Sequence, residues 1–213
     1  AHTLVTTGKR INMPSDDPYG TGYVLSARAL KSATEQYSAN LRQAKDYLTF
    51  TTSALDEAHS LLREAYQLAV RANNSTIDQD TRDGMASQVA QMQSRLIEIA
   101  NTRGAGGQYI FAGQMTTTKP FQDYGSFVFA GDNNDIRVET SAGETMVVNT
   151  PGEVLFRQAY DSLVEFQKNL QSGASGVIEA DIGALQGRMR EFRTEWARAG
   201  AKVARVDEIA LGH

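Results

Sequence analysis

Between Ile178 and Ala210 apolar or small residues recur at alternating steps of four and three: Ile178, Ile182, Leu185, Met189, Phe192, Trp196, Ala199, Val203, Val206 and Ala210. This is a heptad seam, the pattern of a long helix with one stripe to hide. A second seam places Leu41, Leu48, Leu55 and Leu62 seven apart, with Ala44, Thr51, Ala58 and Ala65 between them. A third runs through Met85, Val89, Met92, Leu96 and Ile99. A seam alone leaves apolar surface in water, so each must find another. The expected class is therefore α+β, an elongated bundle of heptad-patterned helices with a small antiparallel β domain inserted. The rod takes residues 1–106 and 151–213, and the β domain 107–150.

All four prolines lie outside the seams, where a broken helix does no harm. Asp16, Asp17 and Pro18 read as a helix start, with a carboxylate at the N-cap and proline at the first helical position. From there a helix of about 18–72 is expected, ending at Asn73-Asn74, residues that tolerate a left-handed turn. Asp78, Asp80 and Asp83 suit the positive end of a second helix, about 79–102, stopped by Gly104, Gly106 and Gly107. From Gln108 to Thr150 the period changes to two. Tyr109-Ile110-Phe111, Phe127-Val128-Phe129, Ile136-Arg137-Val138 and Thr145-Met146-Val147-Val148 are strand candidates in a meander. A shorter helix is expected at about 154–170 and the final one at about 177–211.

The net charge is −4, with both signs interleaved and no basic block, which argues against nucleic acid as a partner. Nothing approaches the length of an apolar membrane span, and no membrane contact is expected. Cysteine is absent, so disulfides, thiolate metal sites and thiol nucleophiles are excluded. Both ends read as cut from a longer chain, and no secretory leader is visible.

Catalytic signals are weak throughout. Asp16-Asp17 has no second group beside it and serves better as a cap than as an acid–base pair. Asp132-Asn133-Asn134-Asp135 lacks the glycine and glutamate of a calcium loop and reads as a hairpin turn. His59 has no metal-ligating neighbour at helical spacing. Asp123, Glu139 and Glu153 are the best acids near the β region, without a nucleophile, metal set or cofactor motif to complete a site. No enzyme activity, cofactor or metal is expected. Assembly contacts would fall on the non-seam faces of the helices, at residues such as Arg42, Lys45, Arg63 and Arg71, and at the Asp16-Asp17-Pro18 start.

Several stretches carry a family likeness. Gly8-Lys9-Arg10-Ile11 through Pro14-Ser15-Asp16-Asp17-Pro18 resembles the opening of the flagellin superfamily. Leu68-Ala69-Val70-Arg71-Ala72-Asn73-Asn74 is similar to its helix hairpin and polar connector. Gly107-Gln108-Tyr109-Ile110-Phe111-Ala112-Gly113, Lys119-Pro120-Phe121 and Gly152-Glu153-Val154-Leu155-Phe156 resemble its hook–filament junction branch. The likeness covers essentially the whole sequence. It implies a structural adaptor between a hook-associated ring and the filament, with flagellin and the preceding hook-associated protein as partners. It also implies ring self-assembly of the full-length parent and an export chaperone bound through a C-terminal segment outside this sequence. Delivery would be through the flagellar type III apparatus to the extracellular flagellum. The core itself is expected to stay monomeric at micromolar concentration. A filament flagellin and a coiled-coil interaction adaptor remain the alternatives.

Overall fold

The computed structural model describes residues 18–74, 76–123, 127–173 and 176–212. The seams become helices α1 (Pro18–Ala72), α2 (Gln79–Ala100) and α4 (Ile178–Gly212), joined by α3 (Glu153–Ser172). At 1.5 Å per residue α1 is about 80 Å long. Among the described residues four short strands lie between α2 and α3: β1 (Phe121–Asp123), β2 (Phe127–Phe129), β3 (Arg137–Ser141) and β4 (Glu144–Val147). The α+β architecture, an elongated helical bundle carrying a small antiparallel region, is the one the heptads demand. The expected Asp16-Asp17 cap lies outside the described residues.

α1 and α4 form the most extensive pairing, running antiparallel so that their seams close on each other. Leu41, Leu48, Leu55 and Leu62 on α1, with Leu185, Phe192, Ala199 and Val206 on α4, are all buried. Lys45 with Asp207 and Tyr66 with Gln186 set the register between them. Carried along that register, Gly212 comes roughly level with Asn40. Seam positions of α1 before that point face no helix among the described residues, and Tyr23 and Leu30 are 78% and 70% exposed. The opposite side of the bundle is built by α2 against α3, and α3 also packs on α4.

The β region departs from the expected meander. It consists of two separate two-stranded hairpins, β1–β2 and β3–β4, the second carrying an irregularity between Glu139 and Ser141. Tyr109-Ile110-Phe111 is not a strand, although Tyr109 makes a single bridge to Arg103. Its backbone is used otherwise: the Tyr109 N–H donates to the Thr116 carbonyl at 2.8 Å and the Ile110 N–H to Thr102 at 3.2 Å. All three side chains are buried, which a half-buried strand with alternating faces does not allow. β1, by contrast, is a strand where the sequence pattern offers no candidate.

Helix ends also differ from expectation. α1 stops at Ala72 without a left-handed asparagine, since no non-glycine among the described residues has a positive φ. Instead Asn74 Oδ1 accepts from the Thr76 N–H at 3.1 Å, an Asx turn. Asp78 caps α2, its carboxylate accepting from the Thr81 N–H at 2.8 Å; these hydrogen bonds hold its pKa below the usual range. α2 ends before the glycines, at Ala100, because Asn101 donates its side-chain amide to the Ile97 and Phe121 carbonyls at 2.8 Å each. The same bond pins β1 to the helix end.

A run of aromatic rings joins the β1–β2 hairpin to the bundle. Phe156 on α3 lies 4.8 Å from Phe111, 5.5 Å from Phe121 and 5.3 Å from Phe192, centroid to centroid. Phe121 also stacks on Phe127 at 4.9 Å. Tyr47 adds a polar tie, donating its hydroxyl to the Ile110 carbonyl at 2.5 Å from a buried position.

Candidate interaction surfaces

Among the described residues no three metal-capable side chains converge, and no helix is long and apolar enough to cross a membrane. Glu139 is exposed, Glu153 is occupied by Asn133 and Arg157, and the side chain of Asp123 lies outside the described residues. The candidate sites are therefore outer surfaces of the bundle.

The four basic residues expected at contacts all lie on exposed positions of α1. They form no cluster. Lys45 Nζ is held by Asp207 Oδ1 at 2.6 Å, tying α1 to α4 within the chain. Arg42, Arg63 and Arg71 have no ion-pair partner among the described residues and are spread over several turns. Of the Asp16-Asp17-Pro18 group, only Pro18 falls within the described chain, as the first residue of α1.

Sequence reasoning missed a groove between the start of α3 and the outer face of α4. It encloses about 780 Å³ and is walled by Pro151, Val154 and Leu155 on one side and Arg188, Arg190 and Arg198 on the other. Val154 is 60% exposed there. Arg188 reaches Gln158 across the groove and pairs with Glu191 at 3.0 Å, and Arg198 pairs with Glu195. A shallower depression continues it over Arg193, Thr194, Ala197 and Ala201. Gly187, Thr194, Ala197 and Ala201 keep parts of this face of α4 low, and long arginines stand beside them. The signal was present in the sequence as a second stripe opposite the seam: Gly187, Thr194 and Ala201 fall seven apart. Arginine stems can cover apolar surface while their guanidinium groups stay in water, so the groove suits a partner with both apolar and acidic groups.

Two polar posts set the β region beside this face. Lys202 on α4 donates to the Asn149 carbonyl at 2.8 Å, and burial pushes its pKa down despite Glu195 and Asp135 nearby. Asn149 in turn donates to the Asn134 carbonyl at 2.8 Å and accepts from the Ile136 N–H at 2.9 Å. Asp132 accepts from the Gln114 and Asn134 N–H groups, which lower its pKa and close the turn at Gly113.

Known proteins place this arrangement. The flagellar hook-associated protein 3 of Escherichia coli is 29% identical over 206 residues, 95% of this chain. The chain spans 64% of that relative's length. A flagellin of Clostridium tyrobutyricum is 28% identical, but over only 51% of this chain and 29% of its own. The solved structure of a putative flagellar hook-associated protein from Vibrio parahaemolyticus shares the fold at a TM-score of 0.79 and 21% identity, covering 94% of each chain. The bacterial flagellin N-terminal helical region matches residues 1–116, from the start of the sequence through α1 and α2 and into the loop that follows. With more than half of its length matched in this way, the chain belongs to the bacterial flagellin family.

Proposed function

We propose that this chain is the core of a structural adaptor of the bacterial flagellum, joining a hook-associated ring to the flagellin filament. One observation carries the reading: likeness to a flagellar hook-associated protein runs through 95% of the chain, including the β region and α3. Likeness to a flagellin covers about half of it. The architecture suits the task. Long helices packed along their seams resist bending, and a tube wall that links two differently packed segments needs stiff staves with projecting contact faces. Flagellin and the preceding hook-associated protein are the partners this reading assigns, the parent forms a ring, and a chaperone delivers it unfolded to the flagellar export channel. The extracellular flagellum is its destination, and no catalysis is required of it.

Copy number tests the reading. Tagged parent protein counted in sheared flagella should amount to one ring per filament, at the hook end. Copies along the whole filament would make the protein a flagellin, the reading favoured by the family match over the first half of the chain. Export is tested separately: the parent should be absent from the medium of cells lacking the flagellar export apparatus, and its appearance there would refute that route.

A further inference from the structure

The antiparallel pairing of α1 and α4 brings arginines from both helices together on one outer face. Tyr66 of α1 meets Gln186 of α4 at 3.1 Å, and this contact marks the edge where the paired seams reach solvent. Arg63 lies three residues before Tyr66, and Arg190 and Arg193 lie four and seven after Gln186. At those spacings each shares the helix face of the residue that marks the edge. In the register set by Tyr66 with Gln186 and Lys45 with Asp207, the three arginines fall within about 6 Å along the bundle axis. Helices packed in this way have axes about 8–10 Å apart, so the three form one cluster. All three are exposed, and none has an ion-pair partner among the described residues. Trp196, the one tryptophan of the chain, follows Arg193 by three residues and stands 46% exposed. Asp56, seven residues before Arg63, is the acid on this stretch of the face. Beyond Trp196 the exposed Ala197, Gly200 and Ala204 keep α4 low, and a Cβ on Gly200 would meet nothing within 4 Å.

We infer that this patch receives an acidic amphipathic helix of a different protein, its carboxylates on Arg63, Arg190 and Arg193 and an apolar side chain against Trp196. The inference goes beyond the adaptor reading and does not depend on it. Charge complementarity carries it: a chain of net charge −4 holds three uncompensated guanidinium groups at one place. Each guanidinium presents a planar fork that matches a carboxylate. Tryptophan and arginine are also the side chains that dominate binding at interfaces, the first as an apolar anchor and the second as a charged one. The low strip at Ala197, Gly200 and Ala204 lets the backbone of a helix come close to α4. The cluster extends over little more than one helical turn, which suits a short acidic segment. A nucleic acid or an anionic bilayer is a long run of negative charge, and it would meet Asp56 and the net negative charge of the chain around the patch.

The single tryptophan reports on the patch directly. A synthetic helical peptide of about fifteen residues, alanine-based with glutamates around one leucine, is titrated into the whole chain while Trp196 emission is followed. The expected result is a saturable blue shift whose apparent affinity falls about tenfold between low and high salt. Arg63→Gln on α1 and Arg193→Gln on α4 should each weaken binding about threefold, and the two together with Arg190→Gln should abolish it. Arg71→Gln, on α1 but beyond the patch, should leave it unchanged. Circular dichroism checks that the variants keep their helices. Emission that ignores the peptide, an equal response to a peptide with lysine in place of glutamate, or binding indifferent to Arg63 and Arg193 would overturn the inference. A tighter response to heparin or to phosphatidylglycerol vesicles would overturn it too, by assigning the patch to a polyanion or a lipid surface. So would self-association of the chain, seen in sedimentation and lost in the Arg63→Gln and Arg193→Gln variants, which would make the occupant a second copy.

Discussion

Asp181, in the first turn of α4, shows how single side chains tune this bundle. It is buried, and Asn169 donates to both its carboxylate oxygens at 3.1 and 3.0 Å. Burial raises its pKa, the Asn169 bonds pull it back, and the charge of Glu165 raises it further. A carboxyl whose folded pKa is raised contributes stability below the ordinary carboxylate range and loses it as pH climbs through the folded value. At neutral pH the buried charge is therefore a cost. Asp181→Asn should raise Tm at pH 7, with the gain vanishing below about pH 3, where both states are protonated; a Tm that falls at pH 7 would contradict this. Tyr47 acts in the other direction. Its buried hydroxyl serves the Ile110 carbonyl, and burial pushes its pKa well above the usual phenol range. Tyr47→Phe leaves that carbonyl without its donor and should cost about 1–3 kcal/mol in urea unfolding.

Among the elements, α3 couples the β1–β2 hairpin to the long helices. Phe156 touches rings from the loop after α2, from β1 and from α4 at once. Phe156→Ala should cost about 3–5 kcal/mol and broaden the resonances of β1 and β2 together with those of α4; a loss confined to α3 would show that the rings do not couple these parts. The turn at Gly113 is equally specific. Its φ is +65°, and a Cβ there would come within 2.1 Å of the Asp132 carbonyl oxygen. Gly113→Ala should disrupt the 112–132 contact while the helices keep their circular dichroism.

At the scale of the molecule, stability is distributed unevenly along α1. From Leu41 onward it is buried against α4, α2 and α3, while Tyr19 to Gln36 carries only exposed or half-exposed side chains. Isolated helix is marginal without tertiary packing. Amide exchange should therefore be fast over residues 19–36 and slow over 41–72, and uniform protection along α1 would mean that the early segment is packed against something in solution.

Much of the fold was legible because its strongest signal is local and periodic. Leu41 through Ala65 and Ile178 through Val206 announce helices by spacing alone, and two stripes of that length can be hidden only against one another. The residues from Gln108 to Thr150 were less legible, since short apolar runs serve strand and buried loop alike. Phe121-Gln122-Asp123 became a strand because Asn101 and Phe129 receive it, and Tyr109-Ile110-Phe111 a loop because Thr102, Thr116 and Tyr47 take up its backbone. Trp196 obeys the heptad yet stands 46% exposed. The contact faces show the same division. Arg42, Arg63 and Arg71 could be read as exposed from the seam, but only packing showed that Lys45 is spent on Asp207. The groove needed α3 laid across α4, two elements whose relation no local spacing contains. The sequence by itself determined which segments are helical and which stripe each must hide. Tertiary structure decided where the hidden stripes meet and which outer faces they leave to form a surface, because those depend on contacts between residues far apart in the chain.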